Sequence, residues 1–172
     1  RYFEAVDITK KQGDLQIPDI YYAIYQKIIA INHFNNEAYI FCHSTENQNN
    51  IPEIEQLLQA KNFASYSFAK EGETISNLTD EAFQQNVAIA KKHCYRGDVF
   101  QLVLSRRFSQ SFKGDEFNVY RALRNINPSP YLFFFDYGDF KIMGSSPEAQ
   151  LVVKNRKAEI HPIAGTFKRS GN

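Results

Sequence analysis

The chain has 172 residues, and its 20 Lys and Arg against 19 Asp and Glu leave a formal net charge of +1. With 43% hydrophobic and 23% charged residues it can bury an ordinary core, which excludes a disordered tail. The basic residues are scattered, the densest knots being Lys91-Lys92, Arg106-Arg107 and Lys168-Arg169, so no electrostatic footprint for nucleic acid or an anionic membrane stands out. The longest apolar runs, residues 28–31 and 131–135, fall far short of the roughly 20 residues of a membrane-crossing helix. The size fits one domain of roughly 100–200 residues. The start at Arg1, the single methionine Met143 and the loop-like end at Asn172 lead us to expect a slice of a longer protein.

In chain order, an irregular stretch holding Gly13 and Pro18 precedes residues 21–31, rich in Tyr and Ile. The break His33-Phe34-Asn35-Asn36 separates this run from residues 38–41, which suggests a hairpin, with a buried helix as the alternative for the first run. Residues 47–50 are amide-rich and read as a surface loop. From Pro52, the spacing of Ile54, Leu57 and Leu58 is helical, with Glu53 and Glu55 near the positive end of the dipole.

Residues 71–77 read as a connector. Thr79 is a credible N-cap ahead of Asp80 and Glu81, and Phe83, Val87, Ala90 and Cys94 lie on one face of a helix ending near Gly97. Residues 99–104 are apolar on both alternating faces apart from Gln101, which predicts a strand buried on both sides. Asp115 then caps a helix with Val119, Tyr120, Leu123 and Ile126 inward, stopped by Asn127-Pro128-Ser129-Pro130. Residues 131–135 and 140–143 flank the turn Asp136-Tyr137-Gly138-Asp139, and residues 151–153 and 158–161 flank a second turn at 154–157. The fold class expected is α+β, with mostly antiparallel sheets and helices.

Taken alone, the chemistry-bearing residues say little. Cys42 and Cys94 read as free thiols of a reducing cytoplasm, and with His43 and His93 they lack the spacing of a zinc site. Gly144-Ser145-Ser146-Pro147-Glu148 is not a nucleophile elbow, because proline stands where a helix should begin. Gly165-Thr166 offers backbone N–H groups and a hydroxyl for a carboxylate or phosphate, against the plainer reading of a loop.

Four ordered motifs change this: GDVFQLVLSRRF (97–108), YRALRNINPSPYLFFFDYGDF (120–140), GSSPE (144–148) and HPIAGT (161–166). In order and spacing they resemble the central portion of the anthranilate synthase component I family of chorismate-utilising enzymes. The opening RYFE and the segment IPDIYYAIYQKIIAINHF are similar to that family too. The resemblance implies the family's fold, with residues 1–70 ending an N-terminal region and 71–172 starting the chorismate-binding core. It implies conversion of chorismate and ammonia to anthranilate and pyruvate in tryptophan biosynthesis, with ammonia drawn from glutamine by a glutamine amidotransferase subunit.

By the same resemblance Gly165 and Thr166 bind chorismate, and Glu148 lies near the substrate. Pro130, Tyr131 and Leu132 match a stretch that contributes to a tryptophan feedback site, although Tyr131 also reads simply as the start of a core strand. Ala164 stands where aminodeoxychorismate synthases carry a lysine nucleophile, which favours anthranilate as product. The family's Mg2+ ligands are expected beyond Asn172, so no metal ligand is assigned here, and the slice alone is expected to be inactive and to self-associate through uncovered apolar surface. The alternatives are an aminodeoxychorismate or isochorismate synthase relative, or a non-catalytic domain of the same family.

Overall fold

Four two-stranded antiparallel sheets and three helices are formed by the described residues of the computed structural model, which are 13, 15–44, 50–61, 64, 66–163 and 165. The mixed α+β class with antiparallel pairing is therefore as expected. The chain divides into two compact units, residues 1–64 and 65–172.

In the first unit, β1 (Lys27–Asn32) and β2 (Glu37–Cys42) pair with Ile29 opposite Ile40. Their turn is made by Asn32, whose Oδ1 accepts from the N–H groups of Phe34 at 3.0 Å and Asn35 at 3.4 Å. Asn36 takes the left-handed φ of 56° that asparagine tolerates. The Tyr- and Ile-rich run thus ends in a strand rather than a helix. In α1 (Ile51–Gln59), Pro52 occupies the first turn, where its missing N–H costs no hydrogen bond. Ile54, 7% exposed, is the one buried hydrophobic side chain among the described residues, and α1 packs on β2. Lys27 Nζ reaches Glu53 Oε2 at 2.9 Å, an exposed pair worth roughly 0–1 kcal/mol.

In the second unit, β3 (Phe68–Ser76) pairs with β4 (Phe108–Gly114), and the register slips between Glu71 and Ile75 beside Gly72, whose φ is 68°. These two strands correct the sequence reading. Residues 71–77 are mostly strand rather than connector, and the strand that follows α2 lies at Phe108–Gly114 rather than at 99–104. The reason is the pairing partner: β3 is polar and exposed, with Lys70, Glu71 and Glu73, and only the distant β4 backbone satisfies it.

Between them runs α2 (Asp80–Arg96). Thr79 Oγ1 accepts from Ala82 N–H at 3.2 Å, Asp80 and Glu81 face the positive end of the dipole, and Gly97 ends the helix with φ 80°. Past its C-terminus the Asp98 carboxylate is bonded by Arg96 and lies 2.8 Å from His93 Nδ1; these two partners hold it below the usual range. Arg106 joins three elements. Its Nε donates to Ser76 Oγ at 2.7 Å, its Nη1 to Asp80 Oδ1 at 2.6 Å, and its guanidinium lies 4.6 Å from the centre of the Phe108 ring.

The helix α3 (Phe117–Ile126) begins one residue beyond Glu116, yet Asp115 still serves its first turn, with Oδ1 accepting from Phe117 N–H at 2.9 Å. Tyr120 and Leu123 are half-buried, whereas Val119 and Ile126, also expected inward, are exposed, Ile126 to 83% as the last residue of the helix. The helix lies on the hairpin of β5 (Tyr131–Asp136) and β6 (Lys141–Ser146), closed at Gly138 with φ 86°. Then β7 (Val152–Lys154) and β8 (Lys157–Glu159) turn through Asn155 and Arg156, both with positive φ as a two-residue hairpin turn requires.

Candidate functional site

Two of the four motifs meet on the β5–β6 hairpin. Its ladder sets Tyr131 opposite Ser146 and Leu132 opposite Ser145, so Pro130, Tyr131 and Leu132 share one end of the hairpin with GSSPE. That end is pinned to the close of α3, because Ser145 Oγ donates to the Asn127 carbonyl. Ser146 Oγ accepts from the Glu148 N–H at 3.2 Å, which fixes the chain as it leaves β6 and leaves the Glu148 side chain exposed. Tyr131 is partly exposed and Leu132 half-buried, so Tyr131 is both the first residue of a strand and an accessible ring.

Gly165 lies in irregular chain after β8, exposed, and a β-carbon there would meet no atom within 4 Å. Among the described residues, then, no neighbour crowds this position. Among the described residues no hydrogen bond joins Gly165 to the Tyr131–Glu148 end. Ala164 and Thr166 lie outside the described residues.

A second constellation, at the turn end of the same hairpin, was not read from the sequence. Lys141 Nζ bonds Glu116 Oε1 and lies 3.7 Å from Asp136 Oδ2. The bond to Lys141 holds Glu116 below the usual carboxylate range, and the same bond holds Lys141 above its ordinary value. Beneath them Phe117 meets Phe134 edge-on at 5.0 Å. These groups and Tyr66 line a cavity of about 550 Å³. Asp136 and Lys141 are cross-strand partners and were legible once the turn was placed; Glu116 comes from another element, and nothing in its local sequence signals the meeting.

Among the described residues no group of three or more His, Cys, Asp or Glu could hold a metal ion. Nor is any helix among them long and apolar enough to cross a membrane.

The chain belongs to the chorismate binding enzyme family, whose sequence profile matches residues 1–172. It is 35% identical over 97% of its length to anthranilate synthase component 1 of Lactococcus lactis, of which it covers 38%. To the protein of that name from Neisseria meningitidis it is 33% identical over 94% of its length, covering 35%. The crystal structure of anthranilate synthase component I from Streptococcus pneumoniae is similar with a TM-score of 0.58 and 29% identity, over 76% of this chain and 32% of that one. The chain thus spans little more than a third of the length of these two curated relatives.

Proposed function

We propose that the full-length protein containing this chain is an anthranilate synthase component I, a lyase of tryptophan biosynthesis acting in the cytoplasm. The observation that carries the reading is the similarity, along nearly the whole of this chain, to relatives of that name. In the reaction, ammonia adds to the chorismate ring as the 4-hydroxyl leaves, and the enolpyruvyl group then departs as pyruvate, which makes the ring aromatic. A glutamine amidotransferase partner supplies the ammonia.

On this reading the chain's own residues bind and position. Gly165 and Thr166 receive a chorismate carboxylate on backbone N–H groups and a hydroxyl, where the absence of a β-carbon lets the anion come close. Glu148, whose backbone N–H donates to Ser146 Oγ at the end of β6, serves near the substrate as a positioning or proton-handling carboxyl. Ala164 presents no amine to attack the ring and leaves that space to ammonia. Mg2+ would be held by side chains other than those described and would offset the charge of the dicarboxylate substrate. Pro130, Tyr131 and Leu132 form part of a tryptophan feedback site in which the accessible Tyr131 ring packs against the indole.

Complementation tests the reading. The full-length gene should restore growth without tryptophan to a bacterium lacking component I; failure with the protein expressed and intact would overturn it.

A further inference from the structure

The segments that flank the open end of the β5–β6 hairpin are short of backbone donors. Pro128 and Pro130 leave Ser129 with the one backbone N–H between Asn127 and Tyr131, and Pro147 removes the N–H that follows the last ladder pair, Tyr131 with Ser146. Two half-buried serine hydroxyls supply ties in their place. Ser145 Oγ donates to the Asn127 carbonyl, an acceptor that the end of α3 leaves without a helical partner. Ser146 Oγ accepts from the Glu148 N–H at 3.2 Å and lies 3.5 Å from the Glu148 carbonyl. As neighbours on one strand, the two serines address opposite faces of the hairpin, so one strand end carries both ties. Between Ser146 and Glu148 the Pro147 ring fixes φ, and ring and hydroxyl together set the course of the chain up to the Glu148 Cα. Among the described residues no hydrogen bond or ion pair engages the Glu148 carboxylate, so the backbone of this residue is held while its carboxylate is left for another partner.

We propose that Ser145 and Ser146 are positioning residues for the Glu148 carboxyl. Ser146 directs the chain from β6 to Glu148, and Ser145 braces the same strand end against the close of α3. The inference rests on the role given to Glu148 in the proposed function and adds the groups that aim it. A carboxyl acting on a bound substrate has to be held within roughly 0.5 Å of its working place. The final pair of a two-stranded ladder frays unless a further contact holds it, and the Ser145 bond is that contact.

Steady-state kinetics of the full-length protein with chorismate, Mg2+ and ammonium test this. Ser146→Ala and Ser145→Ala should each lower kcat by about tenfold while KM for chorismate stays within about threefold. Ser146→Thr keeps the hydroxyl and should return kcat to within about threefold of the parent. A double-variant cycle separates positioning from stability. With Glu148→Gln in place, or Glu148→Asp if that variant turns over too slowly to measure, removing either hydroxyl should cost less than about twofold more, because no correctly placed carboxyl is left to misplace. A serine that only stabilises the fold would lower kcat equally in both backgrounds, and that result would overturn the proposal. If Glu148→Gln itself had the parent's kcat, the role of Glu148 would fall and this inference with it. A slow Glu148→Gln beside alanine variants with the parent's kcat would overturn this inference alone.

Discussion

Phe133 and Gly144 face each other across the β5–β6 ladder, and the Phe133 ring fills the space a side chain on Gly144 would need, since an added β-carbon would stand 2.4 Å from Cζ. The glycine of GSSPE is therefore crowded by a neighbouring ring and not favoured by its backbone angles. Gly144→Ala should cost about 1–3 kcal/mol as the ring is driven off its position. Urea unfolding of the full-length protein checks this, and Phe133→Leu in the same chain should recover part of the loss. Strict additivity of the two changes would contradict the contact.

Arg106 is held by geometry that lysine cannot copy, because separate nitrogens bind Ser76 and Asp80 while the guanidinium plane covers Phe108. Arg106→Lys should lower stability by roughly 1–2 kcal/mol even though charge is conserved. A urea midpoint equal to that of the parent would show that the charge alone matters.

Glu116 and Lys141 should shape the pH dependence at opposite ends. Glu116 is held below its ordinary 4.5 by the bond to Lys141, and Lys141 above its ordinary 10.5 by the bond to Glu116. A carboxyl depressed on folding adds stability that is complete above its unfolded value and is lost as pH falls through the folded one. A lysine raised on folding adds stability that is complete below its unfolded value and is lost as pH rises through the folded one. Glu116→Gln should thus lower the plateau between these limits and flatten both limbs, the alkaline one only in part because Asp136 remains beside Lys141. Urea midpoints across pH check it; unchanged limbs would contradict it.

What was legible in the sequence was local. The α2 boundaries followed from Thr79 and Gly97, and the β5–β6 and β7–β8 turns from Gly138 and from the polar residues at 154–157, because each is decided within a few residues. What was not legible depends on distant partners. The polar β3 is a strand only because β4 lies alongside it, and residues 99–104, apolar enough for a strand, form none without a backbone to pair with. The candidate site divides the same way: the opposition of Tyr131 and Ser146 follows from the hairpin, while the meeting of Glu116 with Lys141 does not.

Ala164 decides between two products of one family on the proposed reading. Ala164→Lys in the full-length protein should reduce the ammonia-dependent formation of anthranilate by about tenfold or more, since an amine then occupies the nucleophile's place. Steady-state assays with ammonium as the variable substrate check this, and an unchanged rate would remove Ala164 from the explanation.

On the proposed reading, Gly165→Val should raise KM for chorismate more than it lowers kcat, because the added side chain fills the approach of the substrate carboxylate. Equal loss in kcat with an unchanged KM would place Gly165 away from ground-state binding.

The most direct measurement supplies the full-length protein with chorismate, Mg2+ and ¹⁵N-labelled ammonium and identifies the products by mass. The account predicts anthranilate carrying one ¹⁵N, with an equal amount of pyruvate. A labelled product that keeps its enolpyruvyl group, an unlabelled isochorismate, or no turnover by intact protein would contradict it.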